Sequence, residues 1–111
     1  MSISTHVLDT VSGQPARGLH VALEAAATDG KWQLVAQGIT DSGGRVADLL
    51  FRAGSAGSHR IVFDTGAWSA AQGRESFYPR VTVEFAVIEP AAHHHIPLLV
   101  SPYGYTTYRG S

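Results

Sequence analysis

The segment RVTVEFAVIE alternates apolar and polar side chains along its whole length, with Val81, Val83, Phe85 and Val87 in one set and Arg80, Thr82, Glu84 and Ala86 in the other. Extended backbone sends successive side chains to opposite faces, whereas helical backbone would scatter these two sets around its circumference. The segment is therefore a half-buried strand. The same rule puts Leu19, Val21 and Leu23 of GLHVALEA on a buried face and His20, Ala22 and Glu24 on the other. Further short β-rich runs are ISTHVLD, WQLVAQGIT, VADLLF, HRIVFD, HHHIPLLV and YGYTTY. They are separated by SGQPARG, TDGK, DSGGR, RAGSAGS and SPYG, whose Gly, Pro, Asp and Ser residues favour turns. About eight strands at this spacing predict an all-β, two-sheet antiparallel sandwich or barrel. Only TGAWSAAQGRE, bounded by Gly66 and Gly73, lacks alternation, and it predicts one helix of roughly two turns.

At 111 residues the expectation is a single domain, 1–111, with a modest core that association between copies would supplement. The formal charge of −1 provides no global field for nucleic acid or an anionic membrane, so neither is an expected partner. With no cysteine there is no disulfide frame, thiolate nucleophile or cysteine zinc site. The start MSISTHVLDT has neither the basic region nor the apolar stretch of a secretory signal, and a cytoplasmic address is expected.

The densest chemistry lies in HHHIPLL. On a strand, His93 and His95 share one face and His94 takes the other. If Val7 points into the core, His6 lies on the outer face of its sheet, and three histidines can then meet across strands or subunits. Each histidine alone reads first as an ordinary structural residue. Together, His6, His93 and His95 would also suit a three-histidine zinc site with an open fourth position. Arg45 follows the turn TDSGG and on its own reads as a solvated arginine beside a hairpin, as Arg109 reads near the end of the chain. Tyr103, Tyr105 and Tyr108 are ordinary strand aromatics on the same footing. No G-x-S-x-G serine elbow and no phosphate-binding glycine loop is present.

Taken in order, STHVLDTVSGQPARGLHVAL, TDSGGR, TGAWSAAQGRESFYPRVTVEF, HHHIPLLVSPYGY and the final YRGS make the chain resemble, end to end, the 5-hydroxyisourate hydrolases of the transthyretin-like family. Transthyretin hormone carriers are similar through the sandwich but lack YRGS, which favours the enzyme. The resemblance implies a transthyretin-like sandwich and a homotetramer, a dimer of dimers, with sites between paired subunits. It places catalytic roles on His6, Arg45, His95 and Ser111, substrate contacts on Tyr108, Arg109 and Gly110, and no metal or other cofactor. His94 stands where an aromatic is more usual, His59 where tyrosine is common, and Arg80 where an acidic residue often occurs.

The implied reaction is hydrolytic opening of the six-membered ring of 5-hydroxyisourate to 2-oxo-4-hydroxy-4-carboxy-5-ureidoimidazoline. Neutral imidazole, with a reference pKa of about 6.5, suits removal of a proton from water near neutral pH. His6 and His95 are both candidates. A guanidinium that stays ionised suits the developing oxyanion, and this is the role expected of Arg45. Ser111, read as the end of the chain, offers a hydroxyl and an α-carboxylate, while Gly110 lets the backbone bend closely past a ligand. The competing expectation is a channel that binds a small aromatic ligand without turning it over.

Overall fold

The computed structural model describes residues 2–51 and 55–111, with Phe51 described by its backbone alone, so the turn expected at RAGSAGS lies partly outside the described residues. Two sheets face each other. The first joins β1 (Ser2–Asp9), β2 (Gln14–Pro15), β5 (Arg45–Phe51), β8 (His93–Ser101) and β9 (Gly104–Thr107), and the second joins β3 (His20–Ala26), β4 (Trp32–Ile39), β6 (Gly57–Phe63) and β7 (Val81–Val87). The second sheet runs β4-β3-β6-β7. In the first, β8 lies between β1 and β9, while β2 and β5 both pair with β1. The short helix α1 spans Thr65–Ala71, where alternation fails.

The expected sandwich is observed, with two refinements. Gln14–Pro15, inside a segment read as a turn, folds back against Leu8 and Asp9 as a ninth, two-residue strand. The Asp9 carboxylate shapes that reversal by accepting hydrogen bonds from the Val11 N–H at 3.1 Å and the Ser12 hydroxyl at 2.7 Å. Second, β1 and β8 run parallel, from Ser2 opposite His93 to Asp9 opposite Val100, within sheets otherwise paired antiparallel.

Burial follows the alternation. Ile3 and Val7 of β1, Val21 and Leu23 of β3, Ile61 and Phe63 of β6 and Leu98 of β8 are fully buried between the sheets, and Val83 and Phe85 pack partly buried against them. At roughly 1.5–3 kcal/mol for each large apolar side chain removed from water, this shared interior holds the sheets face to face. Thr5 is a polar residue on the inner side of β1, and its hydroxyl donates to the Ile96 carbonyl at 2.6 Å. Because Ile3, Thr5 and Val7 are committed inward, Ser2, Ser4 and His6 present on the outer side of the first sheet.

Candidate active site on the outer face of the first sheet

Parallel pairing of β1 with β8 aligns Ser2 with His93, Ser4 with His95 and His6 with Pro97, so these six residues form two adjacent columns on one face. On the other flank of β1, antiparallel pairing sets Arg45 directly opposite His6. Directly opposed residues share a face, which brings the arginine into the same field as the histidines. A cavity of about 240 Å³ opens here, lined by Ser4, Arg45, Ala47, His93, His95 and Ser111 among others. The separation expected along HHH is observed: the His93 and His95 rings stack with centroids 6.4 Å apart, while His94 turns inward and packs against Phe85.

The turn that delivers Arg45 is held by Asp41 and by β1. Asp41 Oδ1 accepts the backbone N–H groups of Gly43 at 2.9 Å and Arg45 at 3.0 Å, which holds its carboxyl below the usual carboxylate range, with the nearby Arg45 and His6 charges acting in the same direction. The Val7 N–H donates to the Gly44 carbonyl at 2.8 Å, docking the turn on β1. Gly44 has a φ of +74°, and a Cβ there would lie 2.4 Å from the Val7 carbonyl oxygen. No other residue fits without displacing the turn that carries Arg45.

The tail reaches the same site. Strand β9 pairs Leu98 with Thr107, and three residues further His95 pairs with Gly110 in the same register. Between them Pro97 has no N–H to give, so the regular ladder lapses there and resumes with the Gly110 N–H donating to the His95 carbonyl at 2.8 Å. A Cβ on Gly110 would stand 2.4 Å from Cδ2 of the His95 ring and 3.2 Å from Cγ of Pro97. A close pass by a ligand is the expectation for this glycine; the close approach in the structure is to the His95 imidazole. Ser111 follows into the cavity, whereas Tyr108 and Arg109 are exposed and border a second cavity of about 330 Å³, shared with His94, His95 and Phe85.

Local alternation could not reveal the role of Ser4. It is buried although it lies on the outer face, and its Oγ sits 2.7 Å from His95 Nδ1 and 3.1 Å from His93 Nε2. Ser2 Oγ contacts the other ring nitrogen of His93, Nδ1. Three of the four ring nitrogens of this pair therefore have protein partners. Burial pushes the His95 pKa below the ordinary imidazole value, and the nearby His93, Arg45 and His6 charges add to the effect. Among the described residues no group of three or more His, Cys, Asp or Glu side chains stands in a metal-holding arrangement. A larger cavity of about 540 Å³ beside α1 is lined by none of the residues expected in the site, and its Asp9 and Arg74 are already paired at 2.8 Å.

The model of the HIUase/Transthyretin family matches residues 3–110. The chain belongs to the HIUase/Transthyretin family. Among members of the HIUase/Transthyretin family, a 5-hydroxyisourate hydrolase of Salmonella typhimurium is 40% identical over 110 residues, covering 98% of this chain and 80% of that protein. A 5-hydroxyisourate hydrolase of Mus musculus is 41% identical over 111 residues, covering 98% and 94%. Among solved structures, the 5-hydroxyisourate hydrolase of Klebsiella pneumoniae superposes with a TM-score of 0.89 at 36% identity over 100% of both chains. A sea bream transthyretin in complex with thyroxine superposes with a TM-score of 0.93 at 32% identity, covering 99% of this chain and 95% of that one. Backbone shape therefore fits hydrolase and carrier alike, and the side chains on the outer face must decide between them.

Proposed function

We propose that this chain hydrolyses 5-hydroxyisourate to 2-oxo-4-hydroxy-4-carboxy-5-ureidoimidazoline, without a metal ion, in urate catabolism. The observation that carries this reading is the convergence of Arg45, His95 and Ser111 on one cavity, with His6 in register beside Arg45. The hydrolase relatives raise the prior, and the site chemistry fits it. His95, kept neutral by burial and with Nδ1 engaged by Ser4, offers Nε2 to remove a proton from water. The oxygen adds to the ring acyl carbon, and the carbonyl oxygen gathers negative charge beside the Arg45 guanidinium. Collapse breaks the ring C–N bond, leaving the new carboxylate and the ureido nitrogen, which takes up the proton. His6 and Ser111 orient the water and the ring, while Gly110 and, from the neighbouring cavity that also reaches His95, Tyr108 and Arg109 meet the substrate from the tail.

The working form is proposed to be a homotetramer, a dimer of dimers. Arg45, His93, Tyr108, Arg109 and Ser111 are all exposed in the single chain, so the site is walled on one side only. A second copy laid across it would exclude water and strengthen each electrostatic contact. In the described strands β7 and β9 also pair on one side only, and such edges are commonly covered by association. A cytoplasmic address completes the proposal. Among the described residues, no helix is long and apolar enough to cross a membrane.

The test is stopped-flow ultraviolet decay of freshly generated 5-hydroxyisourate. Faster decay with protein than without it is expected, with chelator leaving the rate unchanged, because His93 and His95 direct most of their ring nitrogens to serines. Decay at the spontaneous rate would refute the assignment. The second reading, a small-ligand carrier, is favoured by the backbone match to the thyroxine-bound transthyretin. It predicts saturable binding of an aromatic ligand with no turnover.

A further inference from the structure

We propose that Ser4 is a positioning residue that, with His93, sets the tautomer of His95 through a directional hydrogen-bond chain. The inference rests on the role given to His95 above. A serine hydroxyl has one proton to donate and can accept in return. Placed between His95 Nδ1 at 2.7 Å and His93 Nε2 at 3.1 Å, Ser4 cannot donate to both rings, so it donates to one and accepts from the other. Ser2, on His93 Nδ1, extends the chain to the solvent side. Only two polarities are available to neutral rings.

In the first, His95 Nδ1–H donates to Ser4, Ser4 donates to His93 Nε2, and His93 Nδ1–H donates to Ser2. This leaves the lone pair of His95 Nε2 for water. In the second every proton is reversed, and Nε2 carries hydrogen and cannot act as a base. The cavity favours the first, because it holds the Arg45 cation, beside which a lone pair is better placed than another N–H donor. The charges acting on His95 are those of His93 on β8, His6 on β1 and Arg45 on β5, and Glu84, His94, Tyr108 and Arg109 line the neighbouring cavity that His95 shares. The Ser4 hydroxyl is the side-chain partner of His95 Nδ1, and the Ser4 backbone also hydrogen-bonds this ring in the direction that favours its protonation, so the selection falls on a residue two positions before His6.

The experiment combines long-range ¹H–¹⁵N spectroscopy of the histidine rings at a pH where all are neutral with kcat and KM measured against pH. The expected wild-type spectrum shows His95 mainly in its Nδ1–H form. Ser4→Ala should move it towards Nε2–H and lower kcat about 10–100-fold with KM little changed, the scale seen when an orienting partner of a functional histidine is lost. Ser4→Thr, which keeps the hydroxyl, should restore both. Because Ser4 is buried, the exposed His93→Phe serves as a second probe, and it should mix the two tautomers without lowering the melting temperature. An unchanged His95 tautomer in Ser4→Ala, or rescue of stability but not of kcat by Ser4→Thr, would overturn the proposal. The spectra need no substrate. Absence of turnover in every variant would therefore defeat the hydrolase reading while leaving the tautomer question answered.

Discussion

Gly110→Ala should separate activity from stability. The added Cβ would stand 2.4 Å from His95 Cδ2, at least about 1 Å inside ordinary contact, with Cγ of the same ring at 3.1 Å and Pro97 Cγ at 3.2 Å. Neither neighbour is the free end of a flexible chain. Either the ring tilts away or the tail lifts, and lifting also breaks the Gly110 N–H bond to the His95 carbonyl. A catalytic group displaced by about 1 Å can cost about 10²-fold in rate, or roughly 2.7 kcal/mol. Loss of one hydrogen bond near the end of the chain is worth only about 1 kcal/mol, and a domain of this size then shifts its melting temperature by a few degrees, about 4–8 °C at most. Stopped-flow decay of 5-hydroxyisourate beside a thermal melt should thus show kcat/KM down about a hundredfold in a protein that still melts cooperatively near the wild-type temperature. Activity within about threefold of wild type would refute the argument that the tail backbone holds the imidazole in place.

Arg45→Ala should lower kcat by about 10²–10³-fold if the guanidinium faces the developing oxyanion, whereas a loss expressed only in KM would assign it to substrate binding alone. Gly44→Ala should destabilise the fold by roughly 1–3 kcal/mol in a denaturant titration, because its positive φ and the Val7 carbonyl at 2.4 Å both oppose a side chain; an unchanged midpoint would contradict this. The His94 pKa is lowered by burial first and by the Arg109, His93 and His59 charges next, with its bond to the Ala92 carbonyl opposing. The folded state therefore binds fewer protons than the unfolded state below about pH 6.5, so this contribution to stability is present above that pH and is lost as pH falls through it. The melting temperature should drop between pH 7.5 and 5.5, and His94→Phe should lessen the drop; an equal drop in the variant would place the titration elsewhere, with His95 the next group to examine.

Period-two patterning made the faces legible. Val7 directed inward sent His6 outward, and the run His93, His94, His95 divided as two outward and one inward because a strand leaves no other choice. Helix α1 was legible where the pattern broke. Pairing was not, because nothing in the spacing of ISTHVLD says that it lies parallel to HHHIPLLV, some ninety residues away. That register alone sets Ser4 between two imidazoles. Ser4 lies two positions before His6 on the same face of β1, yet its role depends on a neighbour that local sequence cannot name. Gln14–Pro15 was missed for a similar reason, since its pairing is created by the Asp9 carboxylate folding the chain back on itself.

Along β1 and β8, odd and even positions answer to different demands: Ile3, Thr5 and Val7 meet the opposite sheet while Ser2, Ser4 and His6 meet whatever approaches from outside. Substitutions at one parity leave the other almost untouched. Such an arrangement lets a lineage exchange chemistry for simple ligand capture, or the reverse, by altering alternate letters of two strands and a short tail without renegotiating how the chain folds.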